Sequence, residues 1–478
     1  DEGGDYDGDD ADRVALLEKL TCACDTPPAY LDFELAAYQR SANLRQKINL
    51  CVAHPKQQRD GVTTRLILSL HDFEGRPADL ERRLLAAYGE PACAVVKFAF
   101  RARSLRDNLD IFEITSGSPK PTIGLGMGEF GLMSRVLAPK FGGFLTFASL
   151  NDEGATAPGQ PTLDELLNLY RFRSINPKTL VYGIIGWPVT QSMSPLIHNA
   201  GFAEIGHDGV YLPMPIAADP NDLEGSDASF KATFNSFCKT WLDFAGASVT
   251  LPHKERLARE SDDVLNDPTG TVQRSGAANT YYCEHFWYAE SEYPGWIPEV
   301  EQFLNTDTLA IQSLLSVTID LTSPRIQAAI IGAGGVARAA LAAVPGATIF
   351  NRSRDRAEAL AADFPHATVG VPDQLAAQPF DLYINCTPLG MAGGPDPAAL
   401  AIPLDDLPPL PPETVIFDTV YNPIETPLLK AARARGLTVI DGVQMFVKQA
   451  AHQFQLWTGR PAPEDLFDRL VRERLSES

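Results

Sequence analysis

Apolar runs alternate with stretches of helical periodicity through the first third of the chain. Residues 30–35, 65–72, 92–100, 122–128 and 144–150 are short, apolar and rich in β-formers, and predict strands. Between them, residues 78–87 and 105–114 place apolar side chains at helical spacing. Strand and helix in alternation imply parallel strands with helices packed on one face. Five strands are too few for an eight-stranded closure, so the expectation over residues 1–175 is α/β, an incomplete (β/α)8 barrel. Three further units would have to precede Asp1.

A polar hinge at 173–178 ends this half, and the pattern resumes with a buried strand at 181–188. Later, residues 327–356 read as a strand, a glycine turn at Gly332, Gly334 and Gly335, an alanine-rich helix and a second strand ending at Asn351 and Arg352. Such a turn admits a pyrophosphate to the backbone at a helix N-terminus. The spacing departs from the usual three-glycine fingerprint, with Ala337 near the third position, and a glycine turn that merely packs a helix is the competing reading. An acidic residue normally closes the second strand. Here Asn351, Arg352 and Ser353 follow Phe350, with Arg356 one turn on, which favours the 2′-phosphate of NADP over the bare ribose of NAD.

Composition narrows the classes. With 61 acidic and 40 basic residues the net charge is −21, unfavourable for nucleic acid at long range. No apolar run is long enough to span a bilayer and no signal peptide opens the chain, so a soluble, cytoplasmic protein without a membrane partner is expected. Seven cysteines, of which only Cys22 and Cys24 are close, lack zinc-ligand spacing and read as reduced thiols, with no metal site.

Two polar residues interrupt the apolar strands. Lys97 lies within Ala94-Val-Val-Lys-Phe-Ala-Phe, where an inward amine is a candidate nucleophile. His71 ends a strand at the rim where barrel enzymes place their chemistry, a suitable proton shuttle for a Schiff base. Singly, each has a bland alternative: a lysine that snorkels to solvent, a histidine that only makes a hydrogen bond. In the second half, Ser192 and Ser194 precede a proline-started helix and could cap it or hold a carboxylate, the cap being favoured locally. Lys254 stands at the tip of a turn after a strand, Asn279 at the start of another, and Asp307 opens a helix. Local reasoning makes Asp307 an N-cap and His253 a turn residue, and offers nothing that pairs Lys254 with Asp307.

Taken in order, Ser69-Leu-His71-Asp-Phe, Val95-Val-Lys97-Phe, Ser134-Arg135 and Thr156-Ala-Pro-Gly-Gln160 resemble type I 3-dehydroquinate dehydratase, and Glu2-Gly-Gly matches a loop of that family. The resemblance implies that Lys97 forms an imine with a substrate ketone, His71 moves protons and Glu2 orients His71. Arg135 and Gln160, with Thr156 where the family usually has serine, would hold carboxylate and hydroxyls. The family's first three strands are not in this sequence, so the half is expected to be unstable and inactive unless upstream residues supply them.

Over residues 179–478 the motifs Ser192-Met-Ser194-Pro, Val249-Thr250-Leu-Pro-His253-Lys254, Gly276-Ala-Ala-Asn279-Thr, Asn305-Thr-Asp307, Gly332-Ala-Gly-Gly335, Asn385-Cys-Thr387-Pro-Leu-Gly-Met391, Val420-Tyr421-Asn-Pro and Gln449-Ala resemble shikimate dehydrogenase. That resemblance implies that Ser192 and Ser194 bind the shikimate carboxylate and that Lys254 and Asp307 form the catalytic pair. It also implies that Thr250, Asn279, Tyr421 and Gln449 line the substrate pocket, with Thr387 and Met391 near the nicotinamide. The implied substrate domain spans 179–310, completed by residues 443–478, and an NADP-binding Rossmann domain spans 311–442. Departures are Ser248 in place of a common asparagine, Phe303-Leu304 before the Asn-Thr-Asp motif, and an insertion over 284–301, expected as a surface loop with an altered cleft mouth as the alternative.

The expectation is a fused enzyme that converts 3-dehydroquinate to 3-dehydroshikimate and reduces the latter to shikimate with NADPH. Its partners are small molecules, with a homodimer among the allowed assemblies. The rivals are a quinate/shikimate dehydrogenase using NAD and a non-catalytic, quinate-sensing repressor-like protein.

Overall fold

The computed structural model describes residues 9–52, 63–151, 159–238, 242–260, 267–288, 295–320, 326–371, 374–375 and 378–477, with backbone alone over 285–288 and 295–300. The chain divides into two compact units, Asp1–Thr179 and Leu180–Ser478. Among the described residues no helix is long and apolar enough to cross a membrane.

In the first unit, β1 (Tyr30–Glu34), β2 (Arg65–Asp72), β3 (Cys93–Arg101) and β4 (Thr122–Met127) form a parallel sheet in that order. Register fixes its two faces. Glu34 pairs with Ser69, Ser69 with Lys97 and Lys97 with Ile123, so these four residues form one row on one face. That face also carries Ile67, Val95, Ala99, Leu125 and Met127. The opposite face, with Leu31, Phe33, Leu68, Val96 and Phe98, packs on the helices, including Leu80–Tyr88 and Asp107–Ser116. Among the described residues this sheet has four strands and does not close on itself.

The expected fifth strand at 144–150 is not formed. Phe144 donates one backbone hydrogen bond to Thr122 O and Ser149 makes a lone bridge to Thr162. The apolar side chains serve as a cover instead: Phe144 packs edge-on against Tyr30 at 5.4 Å, and Phe147 lies under the Lys97 ammonium at 4.9 Å.

The second unit holds two sheets. β5 (Leu180–Gly186), β6 (Gly209–Pro215) and β7 (Phe244–Val249) are parallel, and β8 (Thr280–Tyr288) and β9 (Gly295–Leu304) join antiparallel, in the order β6-β5-β7-β8-β9. The inserted residues are thus not a simple surface loop: they prolong β8 and β9 into a ribbon paired from Thr280–Leu304 out to Tyr288–Gly295. Aromatic residues at 286–288 favour that pleated conformation.

The other sheet contains β10 (Ala328–Ile331), β11 (Thr348–Phe350), β12 (Thr368–Val369), β13 (Leu382–Asn385), β14 (Val415–Asp418) and β15 (Thr438–Ile440). Its order, β12-β11-β10-β13-β14-β15, is all parallel and doubly wound. Strand order reverses between β10 and β13, so the glycine turn and the loop holding Thr387 and Met391 flank the crevice where such folds bind ligands. After β15, the helix Gly442–Thr458 returns to the first of these sheets, where Val443, Val447, Ala450, Phe454 and Trp457 join the core of Tyr182, Ile197, Phe202 and Tyr211.

Candidate active sites

On the open face of the first unit, alternate residues of β1 are acidic where the strand pattern calls for apolar ones. Asp32 Oδ2 accepts from Lys97 Nζ at 2.8 Å, and Glu34 Oε1 contacts His71 Nδ1. The Lys97 side chain is 12% exposed, so its amine reaches the surface of the face without being immersed in water. Asp32 and Glu34 escaped the sequence reading, although the signal that marked Lys97, a charge at an inward strand position, marks them too. Among the described residues Glu34 is the carboxylate in contact with His71, a residue the resemblance expects Glu2 to orient. Glu2 and Thr156 lie outside the described residues.

Arg135, on the short helix Leu132–Val136 after β4, is 2% exposed. Its Nε has no hydrogen-bond partner, and the guanidinium makes no ion pair among the described residues. Burial pulls its pKa down to about 10. A buried cation without a counter-charge is costly, and an anionic ligand would relieve that cost. Ser134 holds the helix in place, accepting from Gly126 N at 2.7 Å and donating to Gly131 O at 2.7 Å. Gln160 is half-buried. Its neighbour Gly159 (φ +73°) lies so close to Gly128 that a Cβ would sit 2.2 Å from the Gly128 carbonyl oxygen, which places Gln160 beside the loop leading to Arg135.

The second unit contains a cleft of about 440 Å³ between its two sheets. It gathers Ser192, Ser194, Thr250, Lys254, Asn279, Asp307, Tyr421 and Gln449, together with Ser248 and Gln453. Lys254 Nζ donates to Asp307 Oδ2 at 2.5 Å, with the two side chains 13% and 10% exposed. Asn305, not Asp307, caps the helix Thr306–Ser316, its side chain accepting from Thr308 N at 3.1 Å. The local reading of Asp307 as a cap is thereby corrected: one position inside the helix, its carboxylate is left for Lys254. His253 is indeed a turn residue, but a fully buried one. Its Nε2 donates to Ile216 O at 2.8 Å and its Nδ1 accepts from Arg256 at 3.0 Å, which fixes a neutral tautomer. Burial draws its pKa down to about 4.

Ser194 opens the helix Ser194–Ile205, and its N–H donates to Ser192 Oγ at 3.2 Å. The cap position itself is Met193, without a side-chain cap bond, so the locally favoured capping role falls to neither serine, and both line the cleft. Beneath it runs a chain of hydrogen bonds: Tyr211 hydroxyl to Ser248 Oγ at 2.6 Å, Ser248 to Gln453 Oε1 at 2.8 Å, and Gln453 Nε2 to Thr280 Oγ1 at 2.9 Å. Asn279 Oδ1 accepts from Thr280 Oγ1 and from Thr306 N and Oγ1, so the amide is turned with its NH2 group left to donate elsewhere. Gln453 was missed by the sequence reading, although it lies one helical turn beyond Gln449 on the same face. The Tyr421 ring lies 5.2 Å from that of Phe446, tilted by 30°, and burial raises its pKa.

Beside this cleft the glycine turn fits a dinucleotide. Gly332 has φ +117°, and a Cβ there would lie 2.8 Å from the Cys386 carbonyl oxygen, whereas one at Gly334 would meet nothing within 4 Å. The open space above Gly334 lies at the N-terminus of the helix Gly335–Ala343, where backbone donors await an anion. Arg352 and Arg356 are exposed and make no ion pair among the described residues, while Arg354 between them is engaged by Glu358 at 2.7 Å. Asn351 Nδ2 donates to Ser353 O at 2.8 Å and shapes that turn. Across the switch point, Thr387 donates to Asn385 Oδ1 at 2.7 Å and Met391 is half-buried in the following loop.

Family comparisons divide along the same line. The model for type I 3-dehydroquinase matches residues 1–177, that for the shikimate dehydrogenase substrate binding domain residues 184–281, and that for the shikimate 5′-dehydrogenase C-terminal domain residues 442–472. The chain is 35% identical to the chloroplastic bifunctional 3-dehydroquinate dehydratase/shikimate dehydrogenase of Arabidopsis thaliana, over 98% of this chain and 73% of that protein. It is also 35% identical to a shikimate dehydrogenase (NADP(+)) of Maridesulfovibrio salexigens, over 62% of this chain and 97% of the relative. A solved shikimate 5-dehydrogenase from Thermus thermophilus in complex with NADP(H) and shikimate is 26% identical, with a TM-score of 0.47, covering 62% of this chain and 99% of that one. Two half-chain signatures, joined end to end in one relative that nearly the whole chain matches, leave a single assignment: the chain belongs to the bifunctional 3-dehydroquinate dehydratase/shikimate dehydrogenase family.

Proposed function

We propose that the second unit reduces 3-dehydroshikimate to shikimate with NADPH, and that the first carries out the dehydration of 3-dehydroquinate that supplies it. The observation that carries the reading is the Lys254–Asp307 pair at 2.5 Å inside a cleft otherwise lined by uncharged polar and apolar residues. NADPH, when bound at the glycine turn, supplies the hydride. Lys254 donates a hydrogen bond to the ketone oxygen and a proton to the alkoxide that develops there, and Asp307 holds the ammonium in line. The Ser192 and Ser194 hydroxyls receive the carboxylate, while the Asn279 amide and Gln449 meet ring hydroxyls. Arg352 and Arg356 take the 2′-phosphate, which favours NADP over NAD.

In the first unit, the reading gives Lys97 Nζ to the substrate ketone, where an imine forms with loss of water. His71, oriented by Glu34, removes the adjacent proton, a hydroxyl leaves as water, and hydrolysis of the imine restores the lysine. Arg135 receives the substrate carboxylate. The same reading keeps a homodimer among the allowed assemblies and takes the compartment as the cytoplasm.

The test is reduction of 3-dehydroshikimate by NADPH with the purified chain. Rates should exceed those with the quinate-derived ketone or with NADH. Equal rates with quinate and NAD would favour the quinate dehydrogenase reading, and tight ligand binding without turnover the repressor-like one.

A further inference from the structure

Arg338 sits one turn into the helix Gly335–Ala343, with its side chain 19% exposed, and its guanidinium meets three acceptors. Nη2 is 2.6 Å from Asp363 Oδ2, Nε is 3.5 Å from Glu255 Oε1, and Nη1 is 3.4 Å from the Ser275 carbonyl oxygen. Each contact leads to a different part of the reaction. Asp363 is the C-cap of the helix Arg354–Ala362, whose first turn carries Arg356, one of the two arginines proposed to take the 2′-phosphate. Glu255 directly follows Lys254. Ser275 is gripped by Asn305 Nδ2 at 3.0 Å, and Asn305 caps the helix that presents Asp307. Gly276 (φ +64°) makes room for the guanidinium, since a Cβ there would lie 3.1 Å from Nη1.

The helix that would receive the pyrophosphate is therefore tied by one side chain to the neighbours of both Lys254 and Asp307. We propose that Arg338 is a positioning residue that couples dinucleotide binding at the glycine turn to the placement of the Lys254–Asp307 pair, so that dinucleotide and substrate bind cooperatively. The proposal rests on the oxidoreductase reading given above. Rigid-body placement of the nucleotide helix would bring Glu255 and Ser275 with it, and the ligand that follows would meet a site already ordered.

The experiment uses the full chain and the unreactive pair NADP+ and 3-dehydroshikimate, titrated singly and together by calorimetry. In the unaltered protein NADP+ should tighten 3-dehydroshikimate binding by about five-fold or more. Arg338→Met should bring that factor near one with each single-ligand affinity kept within about two-fold, as coupling alone is lost. Glu255→Gln, at a residue whose side chain is 59% exposed and remote from the core, should lower the factor without disturbing the fold. Arg338→Lys should restore part of it. A factor of one in the unaltered protein, an undiminished factor in both variants, or a uniform fall of both single affinities in Arg338→Met would overturn the coupling. Failure of the unaltered protein to bind either ligand would instead defeat the functional reading on which it stands.

Discussion

Lys254 Nζ and Asp307 Oδ2 lie 2.5 Å apart although 53 residues separate them in the chain. The pairing is made by two interlocked motifs. Asn279 accepts from Thr306 N at 2.7 Å and Asn305 donates to Ala277 O at 3.0 Å, so the start of β8 and the start of the Asp307 helix move as one piece. Lys254→Ala should lower kcat for 3-dehydroshikimate reduction by about 10²- to 10⁴-fold with little change in NADPH affinity. Asp307→Asn should lower kcat less and leave the affinity for 3-dehydroshikimate near normal. A rate within ten-fold of the parent for Lys254→Ala, read by steady-state kinetics at about ten-fold resolution, would remove it from the chemistry.

Arg352 and Arg356 hold no carboxylate among the described residues, so their charge is available to a phosphate. Arg352→Asp should raise KM for NADPH by about ten-fold or more, equivalent to about 1.4 kcal/mol, while KM for NADH stays or falls. Equal losses with both cofactors would point to a folding defect rather than a lost phosphate contact.

Imine chemistry leaves a trace that a binding protein would not. Borohydride reduction in the presence of 3-dehydroquinate should fix the substrate carbon skeleton to the peptide containing Lys97, as shown by mass spectrometry, and Lys97→Ala should leave no adduct. Glu34→Gln should retain adduct formation and slow turnover, because His71 keeps its place and loses its charged partner. An adduct that forms equally well without Lys97 would place the nucleophile elsewhere.

Acid should weaken the second unit through its buried histidines. Burial holds His253 at about 4 and His198 at about 3, against an ordinary value of 6.5, so the unfolded chain takes up these protons first as pH falls. Both groups are neutral above 6.5, where they cost nothing. Between 6.5 and about 4 the unfolded state binds more protons, and each histidine removes about 1.4 kcal/mol of stability per pH unit. Urea unfolding followed from neutral pH downward should show this slope, and His253→Gln should remove roughly half of it.

How much of this was legible differs between the halves. The strands 65–72 and 122–128 stand within a residue of β2 and β4, because apolar strands bounded by turn residues have few other uses. Residues 144–150 carry the same alternation and form no strand. Alternation reports which side chains are buried, and Phe144 and Phe147 are occupied against Tyr30 and Lys97 rather than by a backbone neighbour. The cleft residues could be named through the resemblance because each sits in a compact motif. Their pairing could not be derived locally, since capping chemistry fits Asp307 as well as Asn305 until the side chains are seen. Asp32, Glu34 and Gln453 were readable in principle: two break a strand's apolar face, and one repeats Gln449 after a helical turn.

The hydrogen bond from Ser248 to Gln453 joins residues 205 apart, and it has a consequence for how the chain comes to work. The six-stranded sheet is contiguous from Ala328 to Ile440 and can close as soon as it is synthesised. The substrate cleft cannot, because the helix Gly442–Thr458, which supplies Gln449 and Gln453 to its lining, is made after that sheet. The nucleotide sheet is thus complete before the acid-binding cleft is closed, and a nascent chain stalled before Gly442 would hold Lys254 and Asp307 in a cleft that lacks Gln449 and Gln453.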